Sequence, residues 1–276
     1  MYCDAHIHLG QCAEIFGAQE IYAGLEKEEE LMLCSCAHSR DDFAKQKAAA
    51  KILSEQRNAF VVESYGFHPQ NPDLCDSEFM CELLETGQIS AIGESGFDFF
   101  TPEFKSQNQQ QILAWEFSVK KALEYGVPLI IHDRKALDIL FSYTRELSSL
   151  RSVVFHSFAF GVREASSLLS RGINSYFSFG SGIFRGNKKN ISCVAELPAD
   201  RILFGEGRGD GRVDVDAHEL RRRLILRAGT HGLAHLALVD KGGQREHDDD
   251  ADRDGQERNV GDGELTAEKT RRSLDH

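Results

Sequence analysis

Aromatic residues, cysteine, proline and methionine are all missing from the stretch 205–276 of this 276-residue chain. The 18 Phe, 6 Tyr, 7 Cys, 5 Pro, 3 Met and single Trp all lie before it. In their place come Gly, Arg, Asp and Glu, with runs such as Asp248-Asp249-Asp250. A folded core needs large apolar side chains to offset chain entropy. The expected folded domain is therefore 1–204, and 205–276 is an atypical Gly/Arg/Asp-rich tail. Two origins fit the tail: a solvated, disordered extension, or a stretch translated in a different reading frame from the one that evolved with the domain. The abruptness of the change favours the second, and an unbroken native frame across the codon for Phe204 would exclude it. Within the tail, Leu220 to Leu238 is the one helix expected, interrupted by Gly229 and Gly232, with disorder from about Lys241.

Positive charge is also short. Lys+Arg number 32 against 44 Asp+Glu, a formal net charge of −12. That argues against binding nucleic acid through a broad basic groove, but not against a nuclease whose metal ions supply the positive charge locally. No run approaches the roughly 18 apolar residues of a membrane span, and Met1-Tyr2-Cys3-Asp4 carries no basic leader. Seven cysteines, an odd number in or near apolar runs, read as reduced thiols. A cytoplasmic protein without a membrane partner is the expectation. The Gly-rich dinucleotide fingerprint and the phosphate loop are absent too, so no dinucleotide cofactor is expected. No serine has the surroundings of a nucleophile elbow.

Present instead is a regular rhythm. Apolar or β-branched runs begin near Asp4, Leu31, Phe60, Ser90, Pro128, Ser152, Asn174 and Arg201, spaced 22 to 38 residues apart. Each interval fits a strand, a helix and two loops. Leu129-Ile130-Ile131 and Val153-Val154-Phe155 do not alternate, as befits strands buried on both faces. Helix ends are legible: Asp41-Asp42 before an Ala-rich helix over 43–56, and Thr101-Pro102 as N-cap and first helical residue. The latter helix is expected to present Ile112, Trp115, Val119, Ala122 and Leu123 on one face and to stop at Gly126; the segment 163–171 stops likewise at Gly172. Eight such units predict an α/β fold, a TIM-type (β/α)8 barrel.

In such a barrel the C-terminal strand ends surround the active site. The residues expected there are His6 and His8, Glu94, His132 and His156, five metal-competent side chains closing four apolar runs. Imidazole with carboxylate suits Zn, Mn, Fe or Ni, and carboxylate-bridged ions suit Mg or Mn as well. Taken singly, each has a plainer explanation, a hydrogen-bonded strand-end histidine or a salt-bridged glutamate. Together at one rim they point to metal. His68 before Pro69 is either a substrate-orienting group or a turn residue, and Arg134 either a phosphate ligand or a surface ion-pair partner. Cys34 and Cys36 lack a partner pair and read as core thiols.

These blocks resemble the TatD family of metal-dependent deoxyribonucleases. The matching stretches are Asp4-Ala5-His6-Ile7-His8-Leu9, Gly66-Phe67-His68-Pro69, Gly93-Glu94-Ser95-Gly96-Phe97-Asp98, Pro128 to Arg134, and His156-Ser157-Phe158. The resemblance implies a barrel that hydrolyses phosphodiester bonds in DNA with two divalent ions (Mg, Mn or Zn). It implies His6 and His8 on one ion, Glu94 bridging, and His132 and His156 on the other. It further implies an acid–Thr–Asp block after the eighth strand, whose Asp binds metal. Here the aligned residues are Gly205, Glu206 and Gly207, so the metal-binding position is a glycine, with Glu206 or Asp210 as stand-ins. A catalytically damaged metal-binding barrel is therefore the alternative expectation. A carboxylated-lysine amidohydrolase is disfavoured, because no Lys lies between residues 52 and 104.

Overall fold

The computed structural model describes residues 2–22, 30–56, 58–183 and 185–205. Eight strands form one sheet in sequential order: β1 (Tyr2–Ile7), β2 (Leu31–Ala37), β3 (Ala59–Tyr65), β4 (Ala91–Asp98), β5 (Leu129–Arg134), β6 (Val153–Phe155), β7 (Ser175–Phe179) and β8 (Ile202–Phe204). Every neighbouring pair is parallel. The sheet curls into a nearly closed barrel. Its edges meet at Gly205, where a Cβ would stand 2.8 Å from the His6 backbone nitrogen. The expected TIM-type barrel is what the chain forms.

Nine helices are described between the strands: α1 (Leu9–Phe16), α2 (Arg40–Gln56), α3 (Ser77–Glu85), α4 (Pro102–Ser106), α5 (Asn108–Tyr125), α6 (Leu137–Ser142), α7 (Thr144–Ser149), α8 (Val162–Ser170) and α9 (Lys188–Glu196). The main apolar core lies between strands and helices, with Trp115, Phe97, Phe155, Phe177 and Leu168 buried in it. Parallel strands sandwiched in this way are apolar on both faces, and all eight residues of β4 are buried. Burying side chains of this size stabilises by roughly 1.5–3 kcal/mol each.

Two helix expectations need correction. α2 begins at Arg40, so Asp41 and Asp42 lie in its first turn. The cap is Ser39, whose Oγ accepts from Asp42 N, while the Asp42 carboxylate accepts from His38 N. Thr101 does cap a helix, its Oγ1 accepting from Phe104 N at 3.2 Å. That helix is the short α4, and a break at Gln107 precedes α5. The widest strand interval thus holds two helices. On α5 the buried face includes Gln111 and Ser118, and Leu123 lies 40% exposed. Gly126 and Gly172 end α5 and α8 in left-handed conformation, as expected. Among the described residues no helix is long and apolar enough to cross a membrane. Everything expected of residues 206–276, including Glu206, Gly207 and Asp210, lies outside the described residues.

Candidate metal centre

One carboxylate organises the rim. Glu94 lies inside β4, fully buried, and six imidazoles from five other segments converge on it. Its Oε1 faces His6 Nε2 at 3.0 Å, His8 Nε2 at 3.3 Å and His38 Nε2 at 3.4 Å. Its Oε2 faces His156 Nε2 at 2.9 Å, His132 Nδ1 at 3.3 Å and His68 Nε2 at 3.7 Å. All five residues expected from the sequence are brought together, and His68 joins them. His8 does so from just beyond β1, as the residue before α1.

Close contact between β4 and β5 makes this possible. Gly96 pairs with His132 in the register, at φ +147°, and a Cβ there would collide with the His132 carbonyl oxygen. Gly93, at φ +150°, sits as tightly against Ile130. Both positions demand a residue without a side chain.

A second layer fixes the rings. His8 Nδ1 lies 3.2 Å from Cys36 O, and His38 Nδ1 lies 3.3 Å from Gly66 O. A carbonyl can only accept, so both rings carry hydrogen on Nδ1 and, when neutral, aim the Nε2 lone pair at Glu94. His6 Nδ1 contacts Cys36 Sγ at 3.3 Å, and Ser64 Oγ donates to that sulfur. His132 is held between two carboxylates, its Nε2 lying 3.1 Å from Asp98 Oδ2.

The electrostatics follow this layout. Burial pushes the Glu94 carboxyl up, but His156, His6 and His132 outweigh it and hold the group well below the usual carboxylate range. Burial drives His6 down to about 3 and also lowers His156 and His68. These rings stay neutral at pH 7, the form that ligates metal. Burial opposes protonation of His132 as well, yet Asp98 and Glu94 raise it to about 9.

The donor set fits a divalent cation. The neutral Nε2 lone pairs of His6, His156 and His68 facing a carboxylate repel unless a positive charge lies between them. Glu94 Oε1 is buried without a hydrogen bond, and so is His38 Nε2. His6 Nε2 and His8 Nε2 stand 3.4 Å apart. That matches two ligands about 2.1 Å from one ion at a tetrahedral angle, roughly 3.4 Å from each other. Three trios lie within mutual ligand reach: His6–Glu94–His156, His8–His38–Glu94 and His68–Glu94–His132.

Sequence reasoning missed His38 and Asp98. His38 closes the apolar run Leu31–Ala37, so the strand-end rule applied elsewhere reaches it too. Arg134 is exposed, and its guanidinium lies over the Phe100 ring at 4.2 Å.

Comparison with known proteins agrees with this geometry. The family model for TatD related DNase matches residues 3–205. The uncharacterized metal-dependent hydrolase YabD of Bacillus subtilis is 24% identical over 209 residues, covering 74% of this chain and 78% of that protein. The 3'-5' ssDNA/RNA exonuclease TatD of Erwinia amylovora is 28% identical over 165 residues, or 58% of this chain. The match spans 63% of the Erwinia protein, a little under two thirds of its length. Among solved structures, the TatD homologue YJJV of Escherichia coli shares the fold, with TM-score 0.62 at 19% identity over 86% of this chain and 93% of that one. With its barrel, its rim of imidazoles and a family match across residues 3–205, the chain belongs to the TatD-related DNase family of metal-dependent hydrolases.

Proposed function

We propose that the chain is a divalent-metal-dependent phosphodiesterase acting on DNA. The observation that carries this is one fully buried carboxylate with three imidazoles at each of its oxygens. In this proposal His6 and His8, with His38 beside them, hold one ion on the Oε1 side. His132 and His156 hold a second on the Oε2 side, and Glu94 bridges. Divalent ions bound there supply charge stabilisation for the phosphoryl group and lower the pKa of an attacking water. The protein's own work is positional: Cys36 O and Gly66 O fix the tautomers of His8 and His38, and Asp98 orients His132. His68, 18% exposed on the Oε2 side, is placed to orient substrate. None of the seven cysteines is in a disulfide, which suits a reducing compartment such as the cytoplasm. Release of nucleotides from a labelled single-stranded oligonucleotide in Mg or Mn, abolished by EDTA and by His132→Ala, is the expected result. Activity surviving His132→Ala would refute the site.

A second proposal is favoured by one observation of the sequence. By the family resemblance Gly207 falls where the metal-binding Asp belongs, with Glu206 and Asp210 as the nearby acids. A misplacement of about 1 Å in such a group costs on the order of a hundredfold in rate. The chain would then bind metal and turn over little. Metal analysis run beside the nuclease assay separates the two, and recovery of turnover by Gly207→Asp would establish the defect.

A further inference from the structure

Phe100 is half exposed, which taken alone means little, since single apolar residues are common on surfaces. Its surroundings are less ordinary. It lies just beyond the C-terminal end of β4, on the rim that carries the metal centre. Two cations from the end of β5 lie over its ring: the Arg134 guanidinium at 4.2 Å and the Lys135 ammonium at 4.8 Å from the centroid. Lys135 reaches that position from a left-handed backbone conformation, φ +61°. For a non-glycine residue this conformation is strained, and such conformations cluster at ligand sites.

Hydrogen bonds tie the ring's backbone to the centre. Phe100 N donates to Asp98 Oδ1 at 2.9 Å, and Asp98 Oδ2 lies 3.1 Å from His132 Nε2. Phe99 N donates to Arg134 O at 2.8 Å, continuing the β4–β5 ladder past its last pair. Gln111 Oε1 accepts from Asp98 N, and its amide nitrogen donates to Asp98 O and Phe104 O, holding the turn from beneath. Arg134 follows His132 by two residues, about 7 Å along the strand. The other large exposed apolar residues, Ile15, Phe16, Met32, Phe60, Leu113 and Leu123, lie on α1, β2, β3 and α5.

A half-exposed aromatic ring with Arg and Lys packed over it combines the two groups that bind unpaired nucleobases: the exposed ring surface stacks on the base and the cations take the adjoining phosphate. In a protein of net charge −12, the two cations also give the strand a local point of attraction. We propose that Phe100, Arg134 and Lys135 form a base-stacking subsite for a single-stranded nucleic acid, next to the scissile bond. This deepens the phosphodiesterase proposal and rests on it for the position of that bond. A duplex, whose bases are already stacked, would gain nothing from the ring.

The test uses the full chain loaded with Mn, with Phe100→Ala and Phe100→Trp as variants. Thermal midpoints check that each folds. The substrates are an oligothymidylate and an abasic strand of equal length, and the readouts are anisotropy binding and kcat/KM. Expected is a fall of about tenfold in the preference for the base-bearing strand in Phe100→Ala, the size of one base–aromatic stack, with recovery in Phe100→Trp. An unchanged preference in Phe100→Ala would overturn the subsite, as would wild-type protein that does not bind oligothymidylate. If the oligothymidylate binds in a Phe100-dependent way but is never cleaved, the subsite stands and the hydrolytic proposal falls.

Discussion

Replacing Glu94 with glutamine isolates the centre's dependence on negative charge. The change keeps volume and planarity at a site with no room for a larger group, so packing is preserved. It removes the one charge that all six imidazoles face. In metal-free protein the loss is mild, because histidines that had gained from the carboxylate can release their protons at pH 7.5. In the presence of metal the two proteins should part company. A ligand at a hundred times its dissociation constant stabilises the folded state by about 2.7 kcal/mol. For a folded unit of this size each kcal/mol raises the midpoint by about 2–4 °C. Wild-type protein titrated with Mn after EDTA treatment should therefore gain about 5–10 °C, and Glu94→Gln should gain almost nothing. Differential scanning calorimetry at matched free-metal concentrations reads this directly. An equal rise in both proteins would show that the cation binds elsewhere. No rise in either would leave the imidazole cluster as a hydrogen-bonded core and remove the basis of the metal assignment.

Other perturbations test the frame around the centre. Gly96→Ala drives a methyl into the His132 carbonyl, so metal content should fall even where circular dichroism shows the barrel retained; full metal occupancy would contradict the tight β4–β5 approach. Gln111→Ala removes three hydrogen bonds and strands buried groups of Asp98 and Phe104, a loss of about 2–4 kcal/mol by urea denaturation. A loss under about 0.5 kcal/mol would mean water replaces the amide. Burial pushes the Cys193 thiol up to about 11 from 9.0, with Glu164 and Glu196 adding to the shift. The unfolded chain therefore releases this proton first, and stability declines as pH rises from 9 towards 11. Cys193→Ala should partly flatten that decline in thermal melts, and an unaltered slope would refute the assignment.

The barrel was legible because strands covered on both faces must be apolar throughout, which marks their positions without alternation. The centre was legible for the converse reason: a histidine or glutamate interrupting such a run is out of place unless it has a task. What was lost follows from the same habits. The break at Gln107 has no glycine or proline to announce it. Its cause is tertiary, the buried Gln111 amide serving the backbone of Asp98 and Phe104. Apolar periodicity puts Leu123 on the covered face of α5, whereas Leu123 is 40% exposed and the buried positions include the polar Gln111 and Ser118. His38 ends the run Leu31–Ala37 as the other histidines end theirs, so the same rule reaches it. The role of Asp98 depends on ring orientation, which no linear pattern displays.

The six imidazoles and their carboxylate all come from the portion of the chain between residues 6 and 156. β7 and β8, which follow, add none of them and serve to round off the wall. The cluster around Glu94 and the strands that finish the enclosure are thus written in consecutive parts of the polypeptide. A change confined to β7 or β8 would leave all seven of these side chains in place in the sequence.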